Sequence, residues 1–422
     1  MVDILEELMK MAGDGGEAVL REDPEPSPCL HPVISVDDHF VEAPDTFSGR
    51  LPAKFVENGP HVEREGSVDY WIFEEQRVPL LGLEGIQSWE PGKGHWGPIS
   101  FEEFRPSIWK VDDRVKDMDR AGIIGSLNFP SAIFGFAGQR FMRMQNQELG
   151  LASMRAYNEW IIDEWTAPHP DRIIPCQVTW LHDPELASQE IRRNAERGFK
   201  AVAFSENPEK LGLPSIYKDH WNPFFQACEE TGTVINLHVG SSSETMFPSS
   251  DSDLDVLGAL FPVNGFSAAA DWLFAKIPVR FPTIKIVLSE GGIGWVPMLL
   301  DRLTYMARNK DRRSDFGGMT PLEVFRRNFW FTTFSDERTL ALRSEIGIDH
   351  IMYETDFPHV DSSWPNTQAI VSAQLQGVPK AEADLLTFKN AAELYRHPYP
   401  ADLDCADHAP VEAQREDLRL RR

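Results

Sequence analysis

The chain has 422 residues, of which 42% are hydrophobic and 25% are charged, and its formal net charge is −25. This composition excludes global disorder, because such a chain can bury a large core. The acidic excess, with no run rich in Lys and Arg, argues against nucleic-acid binding, and no apolar run reaches the ~18 residues needed to cross a bilayer. We therefore expect neither nucleic acid nor membrane as a partner.

The cysteines are widely scattered and form no C-x-x-C pair; they are Cys29, Cys176, Cys228 and Cys405. Neither a disulfide framework nor a thiolate zinc site is expected from this spacing. The N-terminus also shows no basic stretch followed by an apolar core. Together these features predict a cytoplasmic protein.

The N-terminal part of the chain is irregular and contains an acidic, proline-rich segment at residues 21–32. This predicts an N-terminal arm and linker over residues 1–32. Strand-like and helix-like segments alternate after that point, so residues 33–399 are predicted to form one domain. The polar residues 400–422 are predicted to be an exposed C-terminal tail.

Short runs of apolar and β-branched residues recur along the domain and predict eight strands, at residues 33–37, 123–129, 173–180, 201–204, 234–239, 284–288, 329–333 and 351–354. Helices are predicted between them at 141–165, 184–196, 221–231, 296–306 and 337–346, with a closing helix at 380–395. Eightfold alternation is typical of a closed (β/α)8 TIM barrel, although a doubly wound open sheet would show a similar pattern. We predict the barrel.

The segment between the first two predicted strands, residues 38–122, is too long for one crossover helix. Within it, residues 68–73 and 77–81 alternate around Glu74-Glu75-Gln76. This pattern predicts a β-hairpin inserted over the mouth of the barrel.

Acidic and imidazole side chains occur at the ends of four predicted strands. Asp37 and His39 end the first strand, and the alternation of strand side chains places both on one face. His238 ends the fifth strand, Glu290 follows the sixth within Ser-Glu-Gly-Gly, and Asp356 follows the eighth. Each residue alone is a weak indication, because Asp and His at strand ends often act as caps or turn residues.

The predicted fold makes the combination of these four strand ends more significant than each residue alone. The ends of strands one, five, six and eight surround one volume at the active-site face of a barrel. Two imidazole nitrogens and two carboxylate oxygens suit Zn²⁺ or Mn²⁺, with an open position for water or substrate. The sequence therefore predicts a divalent metal ion held by Asp37, His39, His238 and Asp356.

The order of the motifs closely resembles the amidohydrolase-2 branch of the amidohydrolase superfamily. The matching segments are Asp-x-His, His-Val-Gly-Ser, Ser-Glu-Gly-Gly-Ile-Gly-Trp-Val-Pro and Thr-Asp-Phe-Pro-His-x-Asp-Ser, after the first, fifth, sixth and eighth strands. The resemblance implies a metal-dependent (β/α)8 barrel with relatives such as aminocarboxymuconate semialdehyde, resorcylate and carboxyvanillate decarboxylases and some lactone and C–C hydrolases. It implies the same four ligands and a homodimer or higher homo-oligomer. It also implies one ion rather than two, because a bridging carboxylated lysine has no evident counterpart in this chain.

Two positions depart from the family pattern. Many relatives have His-x-His at the first strand, whereas this chain has Asp37 and His39, and the harder oxygen donor favours Mn²⁺ over Zn²⁺. The second departure is Glu290, which stands where the decarboxylases have an acid/base or polarising histidine. The role of Glu290 therefore stays open at this point.

The leading functional prediction is decarboxylation of a small aromatic or unsaturated carboxylic acid, with Asp356 passing a proton to carbon. The alternative is hydrolysis of a lactone, amide or C–C bond, in which Asp356 deprotonates a metal-bound water. Both use the same ligands, and His238 and Glu290 join Asp356 as predicted catalytic residues. Glu290 favours hydrolysis slightly, because an added carboxylate repels a carboxylate substrate.

Residues just beyond the strand ends are predicted to line the substrate site. They are His359, His182 and Trp180, together with Phe134 in the segment 130–136, which would add an apolar wall suited to an aromatic ring.

Overall fold

The computed structural model describes residues 18–246, 248–249, 251–252, 255–308, 315–401 and 403. Its strands in chain order are β1 (Val33–His39), β2 (His61–Glu65), β3 (Val68–Phe73), β4 (Gln76–Pro79), β5 (Ile123–Phe129), β6 (Ile173–Ile174), β7 (Cys176–Val178), β8 (Ala201–Ala203), β9 (Val234–His238), β10 (Ile286–Ser289), β11 (Phe329–Thr333) and β12 (Ile351–Tyr353). A strand lies at each of the eight predicted positions, and Pro175 divides the third into β6 and β7.

The helices are α1 (Val111–Ala121), α2 (Gln139–Met142), α3 (Gln147–Trp160), α4 (Pro184–Arg197), α5 (Asn222–Thr231), α6 (Asp255–Phe274), α7 (Ile277–Arg280), α8 (Val296–Arg308), α9 (Pro321–Asn328), α10 (Arg343–Ile346), α11 (Thr367–Gln374), α12 (Lys380–Asp384) and α13 (Asn390–Tyr395). Wider π turns continue α3 at Ile161–Thr166 and join α12 to α13 at Leu385–Lys389. Side-chain caps fix several starts: Asn146 accepts from two amides of α3 and Asp183 from two of α4.

The central strands run parallel and form two sheets. One contains β1, β5 and β6, and the other has the order β12-β11-β10-β9-β8-β7. Pro175 accounts for the division between them, because its nitrogen carries no hydrogen for the ladder. Every residue of β1, β9 and β10 is buried, as expected for parallel sheets with both faces covered.

Backbone contacts bring the two sheets together at the ends of β1 and β12. The amide of Asp356 donates to the carbonyl of Asp37 at 2.9 Å, and the amide of His39 donates to the carbonyl of Phe357 at 2.7 Å. The carboxyl ends of the first and last parallel strands are therefore neighbours, and the side chains that follow them share one region.

The segment between β1 and β5 forms an antiparallel sheet with the order β2-β3-β4. The turn between β3 and β4 contains Glu74, whose positive φ of 55° is uncommon for a residue with a side chain. The sheet continues into the short 3₁₀ segment Gly82–Ser88, whose residue Gln87 donates its backbone amide to the carbonyl of Pro358. The insertion thus reaches the loop that follows β12.

The described part of the N-terminal arm packs against this insertion. Leu20 forms a β-bridge with Trp89, and Asp23 forms ion pairs with Arg105 and Arg120 at 2.6 and 2.7 Å. Residues 1–17 of the predicted N-terminal arm and most of the predicted C-terminal tail lie outside the described residues. Among the helices that the structure describes, none has both the length and the apolar character to cross a membrane.

Several helical regions differ from the sequence prediction: α1, α9 and α11 were not predicted, and the predicted helix at 337–346 is a 3₁₀ turn followed by the short α10. Two further differences have a clear physical reason. The predicted helix at 141–165 is divided into α2 and α3, because Asn146 caps a new helix start within it. The long helix α6 was not predicted, since it is apolar on all sides and contains Pro262. An apolar helix without a polar stripe shows no helical periodicity in its sequence.

Candidate metal centre

The three side chains predicted to bind metal from β1 and β9 meet at the carboxyl ends of those strands. The Nε2 atoms of His39 and His238 lie 3.0 Å apart. Oδ1 of Asp37 lies 3.4 Å from Nε2 of His39 and 3.5 Å from Nε2 of His238. All three side chains are buried, and their ligand atoms lie within 4.8 Å of one another.

The backbone orients both imidazole rings. Nδ1 of His39 lies 3.2 Å from the carbonyl of Pro130, and Nδ1 of His238 lies 2.6 Å from the carbonyl of Val239. A carbonyl only accepts, so each Nδ1 carries the hydrogen and each ring directs Nε2 into the shared volume. Two nitrogens facing each other at this distance require a positive charge between or beside them.

The pKa values of His238, His39 and Asp37 also bear on the charge at this site. Burial opposes protonation of His238, but Asp37 and Glu290 outweigh it and raise the pKa of His238 to about 10. Burial lowers the pKa of His39 to about 3, with a further contribution from His359. Burial opposes ionisation of Asp37, yet the two imidazoles lower its pKa to about 2. The ionised carboxylate of Asp37 and the raised pKa of His238 together favour a positive charge beside Nε2 of His238.

Asp37 carries the feature that fits a metal best. Both of its carboxylate oxygens are buried and have no hydrogen-bond partner. A buried carboxylate without partners is costly, and coordination of a cation removes that cost. Neighbouring ligands at right angles and ~2.1 Å from one ion lie about 3.0 Å apart, which matches the separation of the two Nε2 atoms. The residues present therefore fit a divalent ion.

Asp356 and His359 complete the same region from the loop after β12. Oδ1 of Asp356 lies 3.7 Å from Nε2 of His39 and 3.0 Å from Nδ1 of His359. The rings of His359 and His39 are 4.0 Å apart. Oδ2 of Asp356 is buried without a hydrogen-bond partner, and the residue has a strained φ of 48°. The structure thus brings together all four residues predicted to bind metal, with His359 beside them.

Glu290 lies on the other side of His238. Its Oε2 atom is 3.6 Å from Nε2 of His238, and its backbone has a positive φ of 61°. The amide of Glu290 donates to Thr332 Oγ1 at 3.1 Å and to Glu354 Oε2 at 3.3 Å. Burial, together with Asp356, raises the pKa of Glu290 well above its usual range despite the opposing effect of His238. Glu290 is therefore a neighbour of the candidate ion.

Sequence reasoning missed Glu354 and Asp38, which are both buried near these residues. Oε1 of Glu354 has no partner, whereas Asp38 accepts from Thr355 Oγ1 at 2.6 Å, from the amide of Phe357 at 3.0 Å and from Ser126 Oγ. Asp38 thereby ties β1 to β5 and to the loop after β12. An acid directly beside Asp37 in the sequence was visible, but nothing in the sequence indicated its partners.

The predicted substrate residues Trp180 and His182 contact α2, α3 and each other. Trp180 is buried against Gly150 of α3, where an added Cβ would lie 3.2 Å from its ring. Nε2 of His182 is 2.8 Å from the carbonyl of Met142, and the ring packs against Trp180. These contacts direct both residues towards α2 and α3, so the geometry gives no support to a substrate-binding role.

In the segment 130–136, Phe136 rather than the predicted Phe134 lies against the imidazole rings. Phe134 is fully buried and packs against Trp71, Phe73 and Phe141 in the core. Phe136 is half-buried instead, and its ring centroid lies 4.3 Å from that of His238, 4.9 Å from His39 and 6.3 Å from His359. The two residues share an apolar segment, and only the turn at Gly135, with φ of 78°, decides which one reaches the imidazoles.

Sequence comparisons find proteins that are similar to this chain. A protein-family profile described as Amidohydrolase matches residues 59–397. A γ-resorcylate decarboxylase from a Rhizobium species is 26% identical over 300 residues, which cover 64% of this chain and 85% of that protein. A γ-resorcylate decarboxylase from Rhizobium radiobacter matches this chain with the same identity and coverage.

Solved structures share the fold. An amidohydrolase from Mycobacterium avium subsp. paratuberculosis superposes with a TM-score of 0.65 at 22% identity, covering 86% of this chain and 99% of that one. A 5-carboxyvanillate decarboxylase from Novosphingobium aromaticivorans, complexed with manganese and 4-hydroxy-3-methoxy-5-nitrobenzoic acid, gives a TM-score of 0.59 at 17% identity over 89% and 99% of the two chains.

Proposed function

The chain belongs to the amidohydrolase family, and on that premise we propose that it is a metal-dependent carboxy-lyase acting on a small aromatic or unsaturated carboxylic acid. Sequence relatives that match it include γ-resorcylate decarboxylases. The observation that carries the proposal is the meeting of Asp37, His39 and His238, with a carboxylate free of hydrogen bonds beside two opposed Nε2 atoms.

One divalent ion, Mn²⁺ or Zn²⁺, would be held by Asp37, His39, His238 and Asp356. Manganese is favoured by the oxygen donors and is the ion bound in the related 5-carboxyvanillate decarboxylase structure. When bound, the ion attracts the substrate carboxylate and stabilises negative charge that develops during the reaction.

The side chains of this protein supply proton transfer. Decarboxylation breaks the bond between the carboxylate carbon and the ring or vinyl carbon, CO₂ leaves, and the electron pair stays on that carbon until a proton arrives. Asp356 is the proposed proton carrier, because its buried Oδ2 has no competing partner. His359, 3.0 Å from Oδ1, keeps the carboxyl oriented.

An apolar wall would hold the substrate ring. Phe136 is half-buried and lies against the rings of His39 and His238. Its face is suited to pack on a flat unsaturated molecule bound at the same volume, and such packing excludes water from the reacting carbon.

We also infer that the two parallel sheets form one closed (β/α)8 barrel over residues 33–399. The backbone hydrogen bonds from Asp356 to Asp37 and from His39 to Phe357 support this, since they join the first strand to the segment after the last.

A cytoplasmic homodimer or higher homo-oligomer is our further prediction. Size-exclusion chromatography with light scattering tests the oligomeric state.

Hydrolysis of a lactone, amide or C–C bond is a second candidate. Glu290 favours it, because its carboxyl group lies 3.6 Å from Nε2 of His238 and, in its ionised form, would repel a carboxylate substrate and accept a proton from a water molecule.

One experiment separates the candidates. The purified protein is analysed for bound metals and then incubated with a panel of hydroxybenzoates, unsaturated acids and lactones, while CO₂ release and acid production are followed together. The proposal expects a stoichiometric divalent ion and CO₂ release that a chelator abolishes. Acid production from lactones without CO₂ release would establish the hydrolase. Activity that survives complete metal removal would contradict both metal-dependent candidates.

A further inference from the structure

A buried glutamate outside the metal centre, Glu84, accepts a hydrogen bond from the loop that supports the metal centre. Glu84 belongs to the insertion, in the segment Gly82–Ser88, and only 3% of its surface is exposed. Its Oε2 accepts the backbone amide of Ala132 at 3.1 Å, and its Oε1 is buried with no hydrogen-bond partner. Burying a carboxyl group with one unpartnered oxygen costs folding free energy. Anchoring the insertion would not by itself require such a group, which points to a second role.

The residues before Ala132 link this contact to the candidate ion. The carbonyl of Pro130 lies 3.2 Å from Nδ1 of His39 and fixes the direction of that ring. Ser131, between them, donates its amide at 3.1 Å and its hydroxyl at 2.5 Å to Glu42. Two carboxyl groups therefore hold two successive amides immediately after the carbonyl that orients His39.

The residues after Ala132 lead to the proposed substrate wall. The amides of Phe134 and Gly135 both donate to the carbonyl of Ser131, which makes a tight turn. That turn places the ring of Phe136 at 4.9 Å from His39 and 4.3 Å from His238. A shift of the backbone at position 132 would thus move a metal-orienting carbonyl and an aromatic wall together.

We propose that Glu84 is a positioning residue for the metal centre: by holding the amide of Ala132, it fixes both the carbonyl that orients His39 and the turn that presents Phe136. The insertion therefore contributes to ion binding without supplying a ligand. This proposal rests on the proposed metal-dependent function. Removal of a group that orients a ligating histidine commonly changes metal affinity 10–100-fold. Here that group is the carbonyl of Pro130, and Glu84 holds the backbone two residues after it.

The chain offers a matched control. Glu74 is also an insertion glutamate, and it accepts the amides of Gln145 and Asn146 at 2.7 and 2.8 Å. Those amides lie before α3 and lead to no residue of the metal centre. Loss of Glu74 removes two hydrogen bonds between the insertion and the rest of the chain, so it reports what anchoring alone contributes.

The test is titration of metal-free protein with Mn²⁺ by calorimetry, with thermal unfolding recorded on the same samples. We expect Glu84→Ala to weaken Mn²⁺ binding about 10-fold and to raise KM for the aromatic acid. Glu84→Gln keeps an oxygen that can accept from Ala132, so it should bind Mn²⁺ like the wild type. Glu74→Ala should lower the melting temperature without changing the Mn²⁺ dissociation constant.

Glu84→Asp covers the case in which Glu84→Ala does not fold, because it keeps the carboxyl and withdraws it from the amide; weaker Mn²⁺ binding by this variant supports the proposal. An unchanged Mn²⁺ dissociation constant in Glu84→Ala or Glu84→Asp would overturn it, as would an equal loss in Glu74→Ala. Wild-type protein that binds no Mn²⁺ would overturn the metal-dependent function as well, so the two failures are distinguishable.

Discussion

Nε2 of His39 and Nε2 of His238 face each other at 3.0 Å, although the two residues lie on strands far apart in the sequence. Each ring is held by a carbonyl on its opposite nitrogen, so neither can turn away without losing that bond. This opposition is stable only with a positive charge in the shared volume, and it is the basis of the metal-dependent chemistry proposed above.

Removing one of these imidazoles should release the ion. We expect His238→Ala to abolish turnover and to weaken Mn²⁺ or Zn²⁺ binding by at least ~100-fold, because a ligand is lost rather than a supporting group. Elemental analysis and circular dichroism of the purified variant measure both effects. His61→Ala, which removes an exposed imidazole of β2, serves as the control, and a fully active, metal-free His238→Ala protein would contradict the assignment.

Asp356→Asn should separate proton transfer from metal binding. An amide keeps a coordinating oxygen but cannot carry the proton, so the rate should fall about 10²–10⁴-fold, with part of the bound metal retained. The rate constant and metal content are measured on one preparation, beside Asp349→Asn as an exposed control. Turnover near the wild-type level would remove Asp356 from proton transfer.

Glu290→Gln distinguishes the two candidate reactions. If Glu290 activates water for hydrolysis, its amide should reduce kcat by about 10²-fold or more. If the reaction is decarboxylation, loss of a repelling carboxylate should lower KM for the acid while kcat changes less. Steady-state kinetics on a hydroxybenzoate and a lactone give both parameters, and identical kinetics to the wild type would exclude Glu290 from either mechanism.

Phe136→Ala tests the proposed aromatic wall. Loss of the ring should raise KM for aromatic acids by about 10-fold, since a ring–ring contact and its buried area contribute roughly 1–1.5 kcal/mol. Phe134→Leu is the matched control: it should lower the free energy of unfolding by ~1–2 kcal/mol with little change in KM, because that ring lies in the core. The opposite pattern would restore Phe134 as the substrate residue.

Stability of the metal-free protein should fall with rising pH through the titration of Glu42. Burial raises the pKa of Glu42 to about 8, only partly opposed by its bond from Ser131, against 4.5 when unfolded. The folded state therefore binds the proton more tightly, and this contribution is present below pH 4.5 and is lost as pH rises towards 8, at up to ~1.4 kcal/mol per pH unit.

Urea unfolding at several pH values between 4.5 and 8 measures this slope for the wild type and for Glu42→Gln. The variant cannot ionise at position 42, so its free energy of unfolding should decline less steeply over that range. Parallel slopes for the two proteins would show that Glu42 has an ordinary pKa in the folded state.

Sequence patterns were sufficient for the positions of the parallel strands and for the residue types at their ends, but not for β2 of the insertion. Parallel strands bury both faces and read as apolar runs, and the acids and imidazoles that interrupt them stand out at Asp37, His238 and Asp356. The same patterns failed for α6, where an apolar helix shows no periodicity. The contacts of Trp180 and His182 with α2 and α3 were also not visible in the sequence, because they depend on how those helices pack.

By itself, the sequence determined which residue types stand at the ends of the parallel strands, because strand periodicity and burial are local properties written in neighbouring side chains. Only the tertiary structure decided that Phe136 rather than Phe134 meets the imidazoles, and that Glu84 reaches Ala132 from the insertion. Such contacts depend on turns and on the docking of segments far apart in the chain, where a shift of one residue in a loop changes the partner without changing the local pattern.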